Sequence, residues 1–539
     1  MARFRLTTLL VASALGACST GPVQSVARAP AVPPPPVQRP NIIFIMSDDH
    51  AVQTVSAFGH PLSRVAPTPN IDRIARNGAR FENSFVTNSL CGPSRAAMLT
   101  GKFGHVNGFN RNGQQFDQGQ PTWPRALKRS GYQTAVIGKW HIGPNPAGLE
   151  FDHWNVLDDQ GEYYNPDFIT TAGKTRVQGY ATDLVTQYSL DWLKTQRQPG
   201  KPFMLMVHHK APHRNWMPPP RHFLRYADGK LPVPPTYFDN YAGRAAAAHQ
   251  EMEIARHMHE GHDLKMTTSV GSSELRYDPW KQAFGRLTPA QRAAWDQAYQ
   301  AANDAVNAAK LSDREMALWK YQRFLQQYLA STAPVDESVG AILDYLEQTG
   351  LDQNTVVVYT SDQGFFLGEH GWFDKRWMYE ESFRTPLVMQ FPGRIKPGTR
   401  VTSLVQNIDY APTFLEYAGL PVPADVHGKS LVRLAEGKRE RGWRDSLYYH
   451  YYEYPDAHRV APHYGVRSDR YKLIRFYGPF DYWEFYDLKT DPTEVHNRVA
   501  DPAYARQVAD MKSELIRLRA QYGDSTGPAL GGPTAGAQD

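Results

Sequence analysis

The sequence predicts an α/β protein in which helices sandwich a large, mixed, mostly parallel sheet, with a smaller C-terminal α+β domain made of an antiparallel sheet plus a helix. Five short apolar runs predict buried strands over residues 41–46, 134–140, 202–209, 354–362 and 386–392. Helical stretches such as NIDRIARNGA and ATDLVTQYSLDWLKTQ alternate with these runs, which is typical of parallel α/β sheets. Near the C-terminus, aromatic-rich segments such as YGVRSDRYKLIRFYG predict antiparallel strands.

The N-terminal region, residues 1–18, predicts an export signal. Two arginines precede an apolar run over 6–15 that is too short to span a bilayer as a mature helix. The residues around Cys18 resemble a bacterial lipoprotein box, in which the cysteine is lipidated; ordinary cleavage before it is the alternative. Residues 19–40 predict a proline-rich spacer. We therefore expect an exported bacterial protein that is periplasmic or anchored to the outer membrane through a lipid.

The rest of the chain divides into a large α/β domain over 41–425, a C-terminal α+β subdomain over 426–523 and a tail over 524–539. The tail is rich in glycine, alanine and proline, which predicts disorder. The chain has 539 residues, of which 41% are hydrophobic, so it can bury a large core. The net charge of +5 is spread over mixed acids and bases without a basic stripe, and we expect no nucleic-acid partner.

Polar helices predict an insertion in the large α/β domain over about 223–345. Within it, Thr288 predicts an N-cap and Pro289 the first position of a helix. The same region contains the motif HMHEGHD, whose three histidines are His257, His259 and His262. Most of their spacing is wrong for one face of a helix, so we do not expect a metal site there.

Acidic residues follow two of the predicted strands. Asp48 and Asp49 come directly after the first strand, and Asp362 and Gln363 end the run VVVYTSDQG. Because the carboxyl ends of parallel strands meet at one edge of a sheet, these four side chains are candidates for one shared site. Their ligand atoms are all oxygens, which suits calcium or magnesium better than zinc. A solvated turn is the alternative for an acidic pair that stands alone.

Basic and imidazole side chains follow other predicted strands. Lysine and histidine can hold an anion and move a proton. A metal surrounded by such groups describes a site for a substrate that develops negative charge. The candidates are Lys139, His141, Lys210, His213, Arg214, Lys375 and Arg376.

Two motifs identify a family. The motif CGPSR, residues 91–95, with the downstream LTG, resembles the first signature of type I sulfatases. The motif GYQTAVIGKWH, residues 131–141, resembles their second signature. The likeness continues through the SDQG loop to the C-terminal segment FYDLKTDP and covers nearly the whole mature chain except the helical insertion. The fold that this implies is that of the alkaline phosphatase superfamily.

The resemblance also implies a catalytic apparatus. In that family a maturation enzyme oxidises the signature cysteine, here Cys91, to Cα-formylglycine, whose hydrate is the nucleophile. One calcium ion is implied, with the ligands Asp48, Asp49, Asp362, Gln363 and the modified residue 91; position 363 is often asparagine or histidine in relatives. Arg95 is implied to hold the diol, Lys139 and Lys375 to clamp the sulfate, His141 to act as a base, and His213 to contact the sulfate.

Cys91 also stands out without the resemblance. The sequence contains two cysteines, and Cys18 belongs to the predicted export signal. Cys91 would then have no disulfide partner in an exported protein, where paired cysteines are usual. It is either a buried apolar filler or a residue kept for chemistry.

The substrate is indicated by analogy alone. The segments KAPHRNWMPPP and SDQGFFLGEHGWFDKRW are most similar to bacterial polysaccharide sulfatases, including N-acetylglucosamine-6-sulfatases. A sulfated polysaccharide or oligosaccharide is therefore the expected substrate, with Lys210, Arg214, Arg376 and His463 as candidate contacts. Two alternatives remain. One is a phosphate or phosphonate ester hydrolase of the same superfamily, and the other is a non-catalytic calcium-dependent glycan-binding protein, which would lack a nucleophile or clamp residue.

Overall fold

The computed structural model describes residues 39–528. The predicted export signal, nearly all of the proline-rich spacer and the end of the predicted tail lie outside the described residues. Within the described range, no helix is both long enough and apolar enough to span a membrane.

Eighteen strands lie between residues 39 and 528. They are β1 (Asn41–Ser47), β2 (Ala79–Phe81), β3 (Ser84–Phe85), β4 (Gln133–Lys139), β5 (His153–Leu157), β6 (Asp167–Thr170), β7 (Gly173–Arg176), β8 (Phe203–His208), β9 (Thr355–Ser361), β10 (Phe366–Leu367), β11 (Phe373–Asp374), β12 (Leu387–Gln390), β13 (Thr399–Val401), β14 (Val405–Gln406), β15 (Ser446–Tyr451), β16 (His463–Ser468), β17 (Tyr471–Phe476) and β18 (Tyr482–Asp487).

The same part of the chain has thirteen α-helices. They are α1 (Leu62–Val65), α2 (Pro69–Asn77), α3 (Cys91–Thr100), α4 (Gly104–Asn107), α5 (Trp123–Arg129), α6 (Ala181–Asp191), α7 (Ala245–His249), α8 (Pro289–Ala308), α9 (Asp313–Thr349), α10 (Glu380–Phe383), α11 (Tyr410–Tyr417), α12 (Val432–Ala435) and α13 (Ala505–Tyr522).

Ten of the strands form one large sheet in the order β13-β2-β12-β9-β1-β8-β4-β5-β6-β7. The five central strands, β9 to β5 in that order, run parallel to one another. The strand β12 is antiparallel to both of its neighbours, and β6 is antiparallel to β5 and to β7. The predicted large, mixed, mostly parallel sheet is confirmed.

Helices cover both faces of this sheet, as the strand β1 illustrates. Phe44 packs on one face against Trp123 of α5 and Phe414 of α11. Its neighbours Ile43 and Ile45 point to the other face and are buried in the core that α2 and α9 cover. Helices bury the side chains on both faces of this strand, so its sequence is a continuous apolar run. This run is the pattern that predicts the strand.

The region of the predicted insertion is organised around two long helices. Thr288 forms a capping box at the start of α8, as predicted. The predicted end of the insertion at residue 345 falls inside α9, which is continuous over 37 residues. The last turns of α9 belong to the main domain, because Val339 and Ile342 pack in the core beneath the sheet.

The C-terminal domain contains the antiparallel sheet β15-β16-β17-β18. The helix α13 packs on it through Leu515 and Leu518, which share a core with Leu473 of β17. The prediction of an antiparallel sheet plus a helix is confirmed.

The predicted disorder of the tail is wrong for residues 524–528. The carboxylate of Asp524 is buried and accepts hydrogen bonds from the Tyr448 hydroxyl at 2.6 Å and from His450 Nδ1 at 2.7 Å. Arg519 of α13 also donates to the carbonyl oxygen of Thr526 at 2.6 Å. Tertiary hydrogen bonds thus hold a segment whose glycine- and proline-rich composition predicts disorder.

Candidate active site

Two neighbouring strands bring the acidic residues together. The strands β1 and β9 are parallel and in register, so that Ser47 pairs with Ser361 at their carboxyl ends. The next residues of the two strands are the pairs Asp48-Asp49 and Asp362-Gln363, which the sequence places in one shared site. Oxygen atoms of the three carboxylates lie within 4.8 Å of one another.

All three carboxylates are fully buried. Burial is the main cause that raises the pKa of Asp49 to about 6, and the neighbouring Asp362 adds to it, while Lys375 opposes the rise. The Lys375 ammonium bonds both carboxylate oxygens of Asp49, at 2.8 and 2.7 Å. Burial alone would lower the pKa of Lys375, but the negative groups around it, Asp49 first and then Cys91 and Asp374, together outweigh burial and raise the pKa. Three buried carboxylates thus lie together, and each contacts a buried lysine or arginine side chain.

Cys91 is the first residue of α3 and lies against these carboxylates. Its thiol donates to Asp48 Oδ1 at 3.4 Å, and its sulfur lies 3.6 Å from Gln363 Nε2. Burial raises the pKa of this thiol to about 12. A thiol that stays protonated at neutral pH is a poor nucleophile, so the unmodified cysteine does not explain a catalytic role.

Arg95 lies one helical turn after Cys91 and links two strand ends. Its Nε and Nη2 atoms lie 3.0 and 2.9 Å from Asp362 Oδ2, and Nη1 donates to the carbonyl oxygen of Lys139 at 2.9 Å. The Ser94 hydroxyl donates to the Asp362 carbonyl oxygen and accepts from Asn407 Nδ2 at 2.9 Å. These bonds fix the start of α3 relative to the acidic pairs.

Three side chains are hydrogen-bonded to one another at the carboxyl end of β4, where the second motif ends. Lys139 is fully buried and contacts the Asp48 carboxylate. Its Nζ donates to Gln160 Oε1 at 2.6 Å, and Gln160 Nε2 lies 2.7 Å from His141 Nε2. Burial, then Lys139, holds the pKa of His141 well below its ordinary value. The neutral imidazole that results is able to accept a proton.

Gln160 is a site residue that the sequence analysis missed. It follows β5, which is the next parallel strand after β4 in the sheet. Because it follows a parallel strand, it lies at the same edge of the sheet as Asp48 and Lys139. However, the run over β5 is half-buried and mixed in polarity, so it does not stand out as a core strand.

His213 faces the acidic pair from the segment after β8. Its Nε2 lies 3.8 Å from Asp49 Oδ2, and its Nδ1 lies 2.7 Å from the carbonyl oxygen of Arg214. Burial, followed by the positive charge of Lys139, holds the pKa of His213 well below its ordinary value. Thus every residue that the sequence predicts as catalytic or metal-ligating lies in or directly around one cluster.

Three of the four predicted substrate contacts border this cluster. Lys210 is buried with its ammonium 5.1 Å from the ring centre of Tyr163. The guanidinium of Arg214 forms a two-pronged ion pair with Asp263, at 2.7 and 2.8 Å. Arg376 pairs with Asp374. The sequence does not reveal either acidic partner.

The predicted sugar contact of the fourth residue, His463, is wrong. Its ring is fully buried, its Nδ1 lies 2.8 Å from the Ala461 carbonyl oxygen, and its Nε2 accepts from the Met378 amide at 3.1 Å. The rings of Tyr449 and Phe476 pack around it, with centres at 5.5 and 5.0 Å. This histidine has no free ring nitrogen for a ligand, because both nitrogens already form hydrogen bonds with backbone groups.

The donor set fits a hard cation. Carboxylate and amide oxygens are the ligands that calcium prefers, and Asp48, Asp49 and Asp362 supply carboxylates from two adjacent loops. Gln363 Oε1 is buried and has no hydrogen-bond partner among residues 39–528. A buried amide oxygen without a partner costs free energy unless a ligand satisfies it.

Family comparisons agree with this geometry. The family model described as "Sulfatase" matches residues 40–420. This chain belongs to the sulfatase family. A second model, "N-sulphoglucosamine sulphohydrolase, C-terminal", matches residues 368–521 of this sulfatase. The enzyme class predicted from the two motifs, a sulfuric ester hydrolase, is confirmed.

One curated relative and one solved structure match nearly the whole chain. An N-acetylglucosamine-6-O-sulfatase of Bacteroides thetaiotaomicron is 45% identical over 494 residues, which are 90% of this chain and 88% of the relative. A solved structure of a protein in complex with its substrate D-glucosamine-2-N,6-O-disulfate is also 45% identical, with a TM-score of 0.87, and the match covers 90% of this chain and 99% of the other. The human N-acetylglucosamine-6-sulfatase is 27% identical over 440 residues, 77% of this chain and 67% of the relative.

Proposed function

We propose that this sulfatase hydrolyses the 6-O-sulfate ester of a sulfated glucosamine, with a Cα-formylglycine made from Cys91 as its nucleophile and one calcium ion. The observation that carries the mechanism is the position of Cys91, whose sulfur lies 3.4 Å from Asp48 Oδ1 at the meeting point of the acidic loops. Support for the sugar comes from the curated relative and the solved structure that each match this chain at 45% identity.

The calcium ion would be held by Asp48, Asp49, Asp362 and Gln363, together with an oxygen of the modified residue 91. When bound, it would neutralise substrate charge and lower the pKa of a hydroxyl beside it. Lys375 bonds the Asp49 carboxylate in the structure, so a positively charged group already lies at the proposed calcium site. Oxygen-only ligands favour calcium over zinc.

Formylglycine hydrate would supply one hydroxyl that attacks sulfur and a second whose deprotonation releases sulfate. The chain's own residues prepare these events. Arg95 anchors the start of α3, where residue 91 lies, through Asp362 and the Lys139 carbonyl oxygen. The neutral His141 is suited to take the proton of the second hydroxyl.

Lysines that follow different strands would bind the negative charge of the sulfate group. Lys139 and Lys375 are both buried beside the carboxylates and act as point charges for sulfate oxygens. In a site that excludes water, such charges are worth far more than they are in solution. His213 lies on the same side as Lys375, since both contact Asp49. We infer that these two residues contact the sulfate, and that the sugar oxygen takes its proton from one of them when its bond to sulfur breaks.

The sugar specificity is tested by comparing substrates. We expect kcat/KM for N-acetylglucosamine 6-O-sulfate to exceed that for the 3-O-sulfate by about 10²-fold or more, because a site built around one ester position rejects the other. Sulfate release measured by ion chromatography checks this. Faster hydrolysis of the matching 6-phosphate would instead favour the phosphate ester hydrolase.

We also propose that the protein is exported, matured by a formylglycine-generating enzyme and anchored through a lipid on Cys18. This proposal rests on the sequence of residues 1–18 and the spacer that follows. Cells fed a fatty acid with an alkyne label are expected to label the wild-type protein and not the Cys18→Ala variant. Equal labelling of both proteins would contradict lipidation at this cysteine.

A further inference from the structure

Two large aromatic side chains of the insertion are exposed beside the active site. Trp280 is 51% exposed and Tyr277 is 62% exposed. Both lie in the irregular segment between α7 and α8. Tryptophan is usually well buried in folded proteins, and an aromatic face that is left open beside a catalytic cleft is a typical lining of a ligand site.

The HMHEGHD motif holds Trp280 in place. The ring centres of His259 and His262 lie 5.1 and 4.7 Å from the centre of the Trp280 ring. His262 is buried, and its Nδ1 lies 3.1 Å from Asp278 Oδ1. The histidines are thus structural neighbours of an open aromatic ring, which gives the motif a role that requires no metal.

Arg214 connects this ring to the catalytic cluster. Its guanidinium carbon lies 5.9 Å from the centre of the Trp280 ring. The preceding residue is His213, whose Nε2 lies 3.8 Å from Asp49 Oδ2. His213 and Arg214 are therefore adjacent in the chain, with His213 at the acidic cluster and Arg214 at the exposed Trp280 ring.

The orientation of Arg214 is fixed and leaves one nitrogen for a ligand. Asp263 accepts from its Nε and Nη2 atoms at 2.7 and 2.8 Å. The remaining nitrogen, Nη1, lies 3.5 Å from His458 Nε2, at the limit of a hydrogen bond. A guanidinium held in this way can donate to a hydroxyl or carboxylate without losing its anchor.

We propose that Trp280 and Arg214 form a second sugar subsite, which binds the residue adjoining the sulfated glucosamine. The open face of Trp280 offers apolar area to the C–H bonds of a sugar ring, and Arg214 Nη1 meets a polar or anionic substituent of that ring. This proposal rests on the function proposed above. It predicts that a sulfated oligosaccharide is a better substrate than the sulfated monosaccharide alone.

A sugar suits this surface better than an apolar partner does. Charged and imidazole groups adjoin the exposed ring, namely Arg214, His259 and His262. An aromatic ring set among hydrogen-bonding groups matches a ligand that is apolar on its faces and polar at its edge.

The test compares two substrates in each protein variant. The probes are glucosamine 2-N,6-O-disulfate and the disaccharide in which this residue is linked to a uronic acid. We expect Trp280→Ala to lower the ratio of kcat/KM for the disaccharide to kcat/KM for the monosaccharide by about tenfold, mainly through KM. Trp280→Phe keeps an aromatic face and is expected to retain most of the ratio. Val270→Ala, which changes another residue of the insertion that is 58% exposed, is the matched control.

Two outcomes would overturn the subsite. One is wild-type activity of Trp280→Ala on both substrates, and the other is an equal loss on both, which would mark a structural role; the ratio is unchanged in either case. If Trp280→Ala does not fold, the test compares Trp280→His with Trp280→Phe. We expect the histidine variant to lower the ratio more than the phenylalanine variant, and equal ratios would overturn the subsite. A wild-type protein that desulfates neither sugar would contradict the proposed function itself, and this result is distinct from both outcomes above.

Discussion

Replacing Cys91 with serine is expected to lower kcat by about 10³-fold or more. The serine hydroxyl fits the position of the thiol, and it can take up a sulfuryl group. However, it has no second hydroxyl whose deprotonation expels sulfate, so turnover stops after the first step. Sulfate release under multiple-turnover conditions, with the variant and the wild type coexpressed with the same maturation enzyme, measures the effect.

Thermal unfolding supplies the control for this comparison. Serine and cysteine are similar in volume, and the position is buried at the start of α3, so the variant is expected to fold with a melting temperature close to that of the wild type. Turnover near the wild-type rate in the folded variant would show that the aldehyde is dispensable.

Replacing Lys375 with alanine is expected to lower kcat/KM by about 10²–10³-fold, because a buried cation that meets developing charge contributes several kcal/mol to the transition state. Lys375 bonds both oxygens of Asp49 and is fully enclosed by the site. Initial rates on the 6-O-sulfated monosaccharide measure the loss.

The matched variant is Lys375→Arg, which keeps the charge and is expected to retain more activity than the alanine variant. Calcium titration separates a catalytic from a structural effect, since loss of Lys375 leaves Asp49 without its bonded cation. A fall in kcat/KM of less than about threefold in folded, calcium-saturated Lys375→Ala would contradict the sulfate clamp.

The main sheet was predictable because its central strands are buried on both faces. Runs such as residues 41–46 have no polar face, and this pattern predicts parallel α/β strands directly. The end of the insertion was not predictable in the same way. The first half of α9 packs in a core of the insertion through residues such as Tyr321 and Phe324, and its second half packs in the core beneath the sheet through residues such as Val339. One continuous helix therefore belongs to both regions, and its sequence shows no break between them.

The catalytic cluster was predictable from strand ends and from two motifs, while its supporting residues were not. Arg214 and its partner Asp263 lie 49 residues apart in the chain, and only the tertiary fold brings them together. The prediction that His463 contacts the sugar is wrong for a similar reason. It begins the strand β16, and the sequence does not say whether its side chain faces the substrate or the core of the sheet.

The most direct measurement is mass spectrometry of the tryptic peptide that contains Cys91, after expression with a formylglycine-generating enzyme. The mechanism predicts that this peptide carries formylglycine and that the modified fraction rises in proportion to specific activity across preparations. An active preparation in which the peptide retains an unmodified cysteine would contradict the account.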